Sequence, residues 1–420
     1  MDTLPLSWID GGGTVVGQGD HLDLAGLSVG VHVLRIAAPD PAYGGSIGFG
    51  TFDSSAATVT VTGNGTETPA EAATEPDKAN PIEATLGQLS APITTVQTTR
   101  VRNLLNQVQT RLRTLRAGAS TPAFDAPGVS LPDISGGKDE DRKSRRLGAY
   151  VMGLGDYLRN DANTSDAGFK VNTKSLMLGA DYRLNGSWVV GGALGISHTD
   201  VRFDGGSQSR QDSDGYSGTA YASWSLTPST YVSATLSYEA SDFDIARDNG
   251  GSSILRASTK GHGLGLSLSA GHDIVVGAWS FSPYVRWDSV TARIHGFDEV
   301  GGVDAVSVSS QRSRSDTLNI GSQVQYSIPV SWGVVLPHAR VEFTRRTDSH
   351  QNSPSARLLN GNTALLIPTS ADTDRSYGNW AIGVSSITQR GVTLFCDYEA
   401  GFALQGYRSQ RITVGLRSEL

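Results

Sequence analysis

The sequence predicts an all-β fold: a twelve-stranded antiparallel transmembrane β-barrel, with one helix in its lumen and a short β segment ahead of that helix. Three observations carry this. From Leu147 to Leu420 apolar and polar residues alternate in one segment after another, the period of two expected for strands whose faces meet different surroundings. The links between these segments are by turns short and long, as in barrels with tight turns on one rim and extended loops on the other. Aromatic residues gather beside the short links, where an interfacial girdle belongs.

Composition narrows the choice first. The 420 residues are 38% hydrophobic and include a single cysteine, Cys396, so no internal disulfide can form. Nothing approaches the ~18 uninterrupted apolar residues of a membrane-spanning helix, which leaves a water-soluble β protein or a membrane barrel. The net charge of −7 is unevenly spread. Residues 1–92 hold two basic and eleven acidic residues, whereas residues 93–117 hold five arginines and no acid. Such a balance does not suit a nucleic-acid partner.

Residues 1–66 read as short strands and turns, with Val31, Val33, Leu34 and Ile36 as an apolar run and Thr58 to Thr62 alternating strictly. The W-x-D-x-x-G stretch from Trp8 and the L-S-x-G-x-H stretch from Leu27 resemble the second half of a bacterial Ig-like repeat. A full sandwich needs about 100 residues, so the chain is expected to begin inside that domain. Met1 to Asp10 carries no secretory leader pattern. Residues 67–92 have the Pro, Thr, Ala and Glu content of a disordered linker.

Residues 93–117 change period. Val101, Leu104, Leu105, Val108, Leu112 and Leu115 form one apolar stripe, with Arg100, Arg102, Arg111, Arg113 and Arg116 elsewhere on the surface. A helix of this length spans roughly 37 Å, comparable with a bilayer. A second linker, 118–146, separates it from the barrel region 147–420. An even number of strands puts both barrel ends on the short-turn side. A helix running through the lumen would then carry everything upstream to the long-loop side. Inward-facing acids, Glu239, Glu342, Asp397 and Glu399, are candidate partners for its arginines, and Arg286, Asp288, Arg340 and Glu342 are candidates to line the pore. The girdle candidates are Tyr182, Trp188, Trp224, Tyr231, Tyr238, Trp279, Tyr326 and Trp332.

The segments LGADYRL (178–184), WSFSPYVRWDSVTARIHGFDEVGG (279–302), VLPHARVEF (335–343) and FCDYEAGFALQGYRSQRITVGLRSEL (395–420) together resemble the C-terminal translocator domain of autotransporters, the type V secretion family. The resemblance implies a Gram-negative outer-membrane barrel with a helix that plugs the pore and tethers a passenger, residues 1–92 exposed at the cell surface, and insertion by the barrel-assembly machinery. It makes Ile412, Val414, Leu416 and Leu420 the insertion signal. The family usually ends in an aromatic residue, and Leu420 departs from that. Some relatives cleave the passenger inside the pore; no residue pair here identifies such a step.

Other chemistry finds little support. Gly26 to Gly30 fits G-x-S-x-G, but a strand pattern follows instead of a helix. Asp212 to Gly215 and Asp372 to Asp374 lack the acidic twelfth position of a calcium loop. The eight histidines show no zinc spacing, and Cys396 reads as a lipid-side filler. No catalytic residue, cofactor or metal is expected; the expected partners are outer-membrane lipid, the assembly machinery and an unknown surface ligand of the passenger, around a monomeric barrel. The alternatives are a porin with an unrelated tail, or an outer-membrane enzyme using His295 or His350 at the outer rim.

Overall fold

The computed structural model describes residues 7–9, 15–18, 30–37, 57–61, 81–119, 146–161, 168–204, 208–249, 253–351, 354–361, 364–365, 375–389, 391–404 and 406–419. The chain forms two units, Met1–Asp77 and Lys78–Leu420. In the first, four described strands pair antiparallel in the order Val15–Gln18, Ser7–Ile9, Gly30–Ala37, Ala57–Val61. Gly26 to Val29, Asp372 to Asp374, Leu420 and most of both expected linkers lie outside the described residues.

Among its described residues the second unit holds one helix, one closed sheet and a smaller second sheet. The helix α1 runs Pro81–Ala119. The twelve long strands are β1 (Leu147–Asn160), β2 (Phe169–Arg183), β3 (Trp188–Phe203), β4 (Arg210–Ser225), β5 (Thr230–Asp248), β6 (Ile254–His272), β7 (Trp279–Ile294), β8 (Gln311–Tyr326), β9 (Gly333–Gln351), β10 (Ser376–Thr388), β11 (Val392–Phe402) and β12 (Tyr407–Glu419). Each pairs antiparallel with its neighbours in sequence. The sheet closes where β12 meets β1, from Tyr407 opposite Asn160 to Glu419 opposite Gly148. Closure leaves no edge strand, the condition lipid imposes on any sheet that crosses it.

The faces are sorted in two different ways along the axis. Over the inner two-thirds of the strands the outward side chains are apolar and exposed, Leu194, Ile320 and Phe343 among them, while the inward ones are Thr235, Ser237, Ser267 and Asn319, all buried. Toward the long-loop end the assignment reverses. Asp242 and Lys260 now point outward and pair at 3.6 Å, while Phe243, Ile245, Leu255 and Ile294 point inward and are buried. Four short strands, Phe297–Asp298, Val306–Val308, Ala356–Leu358 and Ala364–Leu365, form a separate small sheet from the long connections. Its Val306, Val308, Ala356 and Leu365 share one apolar cluster with Phe169, Val171 and Phe243 of the barrel and with Leu86, Ile93 and Val96 of α1.

Two expectations are corrected by this reversal. The stretches Phe203 to Asp214, Ser241 to Lys260, His295 to Asp316 and Arg345 to Tyr377 read as loops, yet much of each is strand: β5 continues to Asp248, β6 begins at Ile254, and Asp212 and Asp214 lie within β4. Their outward residues are polar because they lie beyond the apolar band, so the pattern of the membrane zone is absent there. The helix also begins at Pro81, inside the expected linker, and passes through Pro92. Proline removes one intrahelical hydrogen bond, but burial of Leu86 and Ile93 in the outer cluster outweighs that loss.

Inward aromatic rings lie over glycines of a neighbouring strand: Tyr150 over Gly179, and Tyr221 over Gly191, where an added Cβ would overlap the ring. Gly191→Val is therefore expected to destabilise the barrel by roughly 1–3 kcal/mol through overpacking. Tyr221→Ala in the same chain should recover part of that loss, as read from urea unfolding in vesicles.

Candidate functional site in the lumen

The helix lies in the bore, because its side chains bond to strands on every side of the barrel. Arg100 meets β4 and β5, Asn103 meets β1 and β12, Gln107 and Arg111 meet β2, and Arg102 meets β8. The apolar stripe is buried along its length. Val101 and Leu105 pack with Val290, while Leu104, Val108, Leu112 and Leu115 pack with Tyr150, Met152, Met177, Ala193, Tyr221 and Phe395. The lumen is thus drier than its polar sequence pattern suggested. Close approach is possible on β6, where Gly263 puts no side chain between strand and helix; a Cβ there would collide with Val101.

Two arginines anchor the helix electrostatically. The Arg100 guanidinium crosses over Gly215, pairs with Glu239 on β5 at 2.7 Å and donates to the Ser213 hydroxyl at 2.8 Å. It also donates to the Ser197 hydroxyl, which in turn donates to Glu239 at 3.2 Å. Arg111 donates through Nε to Asp181 on β2 at 2.9 Å and lies over the Tyr150 ring, 4.9 Å from its centroid. All four charged side chains are at least 95% buried. The remaining helix arginines do other things. Arg102 donates to Ser315 at 3.1 Å, Arg113 to Thr110 of its own helix at 3.0 Å, and Arg116 covers the Tyr231 ring at 3.6 Å.

Of the four acids expected as partners, only Glu239 meets a helix arginine. The others are taken by side chains of the wall, which cross-strand pairing brings closer than the helix. Glu342 pairs with Arg286 at 3.1 Å and accepts from Tyr284 at 2.6 Å; Asp288 pairs with Arg286 at 2.9 Å. Asp397 meets His338 at 2.7 Å, and Glu399 meets Arg340 and, at 3.0 Å, Arg411. Arg411 continues the network to Asn103 of the helix at 2.6 Å, and Asn103 donates to Asp156 at 3.1 Å. Asp181, Asp156, Arg411 and Asn103 are the members that sequence reasoning missed. Asp181 and Arg411 carried a usable signal, since alternation sets them opposite the outward Leu178, Ala180 and Tyr182 and the outward Ile412, Val414 and Leu416.

The helix is off-centre. Its Thr94, Thr95, Thr98 and Arg102 face a polar cavity of about 200 Å³, walled on the far side by Asp288, Asn319 and Glu342 among others. Among the described residues no cluster of His, Cys, Asp or Glu could hold a metal.

On the outer surface Tyr182, Trp188, Trp224, Tyr238, Trp279, Tyr326 and Trp332 are all exposed. Trp188 stacks on Trp224 at 5.5 Å, and Trp279 meets Tyr326 at 4.7 Å. Two expectations shift. Tyr231 is buried in the lumen beneath Arg116. Tyr238 lies midway along β5 against His262, beside Tyr216 of β4, and not beside a short link. Ile412, Val414 and Leu416 are exposed on β12, and Cys396 is exposed between Val384 and Val414 on the same outward face.

A closed twelve-stranded barrel with an inward-polar wall, an outward apolar band and a helix in its bore defines an outer-membrane translocator. The autotransporter β-domain family model matches residues 149–399, and the chain belongs to that family of the Gram-negative outer membrane. The translocator domain of autotransporter NalP from Neisseria meningitidis superposes with a TM-score of 0.55 at 14% identity, covering 78% of this chain and 99% of that one. The chain is 24% identical over 221 residues to the uncharacterized protein YaiT of Escherichia coli (strain K12), covering 51% of this chain and 22% of YaiT. It is 25% identical over 157 residues to outer membrane protein B of Rickettsia prowazekii (strain Madrid E), covering 37% of this chain and 9% of that protein. The chain therefore spans less than a quarter of the length of these relatives.

Removing one member of the Arg100–Glu239 pair leaves the other buried and uncompensated. Arg100→Ala or Glu239→Ala alone is expected to cost about 3–5 kcal/mol. The double variant should cost clearly less than the sum, a coupling that a denaturant double-mutant cycle in vesicles measures directly.

Proposed function

We propose that this barrel exports an N-terminal passenger to the cell surface and keeps it there, with α1 as both tether and pore plug. One observation carries the reading: a continuous helix runs the bore, fixed by buried pairs to Glu239 and Asp181 and wrapped at its outer end by the apolar cluster around Leu86, Ile93 and Val96. The shares of YaiT and outer membrane protein B left unmatched support a passenger region beyond the segment in common. Residues ahead of α1 then lie outside the cell, while Pro81 to Pro92, expected at the surface, belong to the helix held by the outer cluster; the reading assigns the preceding segment a ligand-binding role and the chain no enzymatic step.

The exposed aromatics beside the short turns act as the inner interfacial girdle, and the set around Tyr216 and Tyr238 as the outer one. Ile412, Val414 and Leu416 present the outward face on which the assembly machinery recognises the last strand. Each chain needs only its own twelve strands to close, which favours a monomer.

The side cavity next to Thr95 and Arg102 supports a minor channel reading, a hydrated path beside the plug. Both readings meet one test. Purified chain lacking residues 100–116 should conduct ions far better in planar bilayers than the intact chain, whose conductance should be small. Equal conductance would remove the plug. Protease added to intact cells should clip residues 1–66, an outcome the porin alternative does not give.

A further inference from the structure

The arginines of α1 fall on two faces. Arg100 and Arg111, eleven residues apart, meet Glu239 and Asp181. Arg102, Arg113 and Arg116 lie on the other side of the helix, and among the described residues none has a carboxylate within ion-pair distance. The inner two are compensated in other ways. Arg116 covers the Tyr231 ring and borders a cavity of only about 20 Å³ with Asp273. Arg113 borders the same cavity beside Tyr284, which donates to Glu342 at 2.6 Å, and feels the charge of that carboxylate. Arg102 stands instead at the outer cavity of about 200 Å³.

The carboxylates that border this larger cavity are already held by the wall. Arg286 pairs with Asp288 at 2.9 Å and with Glu342 at 3.1 Å, and Glu399 pairs with Arg340 and, at 3.0 Å, with Arg411. Arg346 borders the cavity as well and is engaged. Arg102 keeps one neutral partner, the Ser315 hydroxyl at 3.1 Å, while its Nε is buried with no acceptor. A guanidinium held away from bulk water without a counter-charge is costly. Of the unpaired helix arginines, Arg102 is the one with ample space beside it.

The two walls of the cavity select what can fill that space. On the helix side Arg102 brings a positive charge, and Thr95, Thr99 and Asn106 bring hydroxyl and amide groups. The far wall holds Asp288 and Glu342 on one arginine, a surplus of one negative charge. A small monoanion satisfies the helix side. The second charge of a sulfate or a hydrogen phosphate would be repelled by the far wall. A water molecule could accept from Nε but would bring no charge.

We propose that Arg102 binds a small inorganic monoanion of the halide class in this cavity, as the exchangeable counter-ion of the helix's open face. Binding requires the helix in the bore but no current through it, so an empty site and an absent leak are separate results. The probe is chloride, read by NMR line broadening with the detergent-solubilised intact chain. Wild type should broaden the line through a component that bromide displaces and that sulfate at equal ionic strength leaves in place. R102Q should lose that component, and R102K, which keeps the charge, should retain it. Heat-resistant migration on a gel checks that each variant is folded. In wild-type crystals soaked in bromide, anomalous scattering should place an ion beside Arg102, a measurement that needs no variant. The absence of a displaceable component in wild type overturns the proposal, since the cavity then holds water alone. So do its persistence in folded R102Q, its loss in folded R102K, its displacement by sulfate, or bromide found in the crystal only elsewhere.

Discussion

Everything in the second unit follows from the requirement that backbone amides inside hydrocarbon be bonded to each other. Each unsatisfied group there costs several kcal/mol, so the β12–β1 seam is as complete as any other pair in the sheet. Once the sheet must close, strand number sets the bore. Twelve strands at ~4.8 Å spacing and ~40° tilt enclose a cylinder roughly 24 Å across between backbones, and side chains on both walls leave about one helix diameter. A bore of that width must hold something or hold water, and α1 is the right size to occupy it.

The surroundings, not the backbone, then assign polarity. At membrane height the outside is dry and the inside is hydrogen-bonding, so Leu194 and Ile320 face out while Ser237 and Asn319 face in. Past the membrane the same strands meet water outside and a packed helix inside, so Phe243, Ile245 and Leu255 turn inward and Asp242 and Lys260 outward. One continuous ladder therefore carries two opposite face assignments without a change of register between β5 and β6.

That reversal explains what could be seen in the sequence and what could not. Strand count, sheet order and the helix were legible because the alternation over Trp188 to Ile196 or Val232 to Tyr238, and the helical stripe from Val101 to Leu115, are each set by one local environment. The outer strand extensions were not, because residues such as Asp242, Asp244 and Lys260 have loop-like composition when only one face is considered. Pairing in the lumen was legible by halves. Parity shows that Glu239, Asp181 and Glu342 point inward, but which cation each meets depends on strand neighbours far away in sequence. Arg286 and Arg411 reach Glu342 and Glu399 because β7–β9 and β11–β12 bring them together.

The two helix anchors work together with the apolar packing around them. Buried ion pairs are weak sources of net stability, since desolvation offsets much of their attraction, but they are strict about position. Arg100 and Arg111 are eleven residues apart, close to three helical turns or roughly 16 Å, so both project from one face at two depths. Sliding the helix by a single residue would shift it ~1.5 Å and turn it ~100°. That would withdraw both guanidinium groups from Glu239 and Asp181 at once. The same turn would carry the leucine and valine stripe off Met152, Met177 and Val290, so the apolar face and the arginines select the same depth. The helix is therefore held in the bore at one depth by both, and the threonine-lined cavity on the opposite side is what remains once the helix is drawn against β5 and β6.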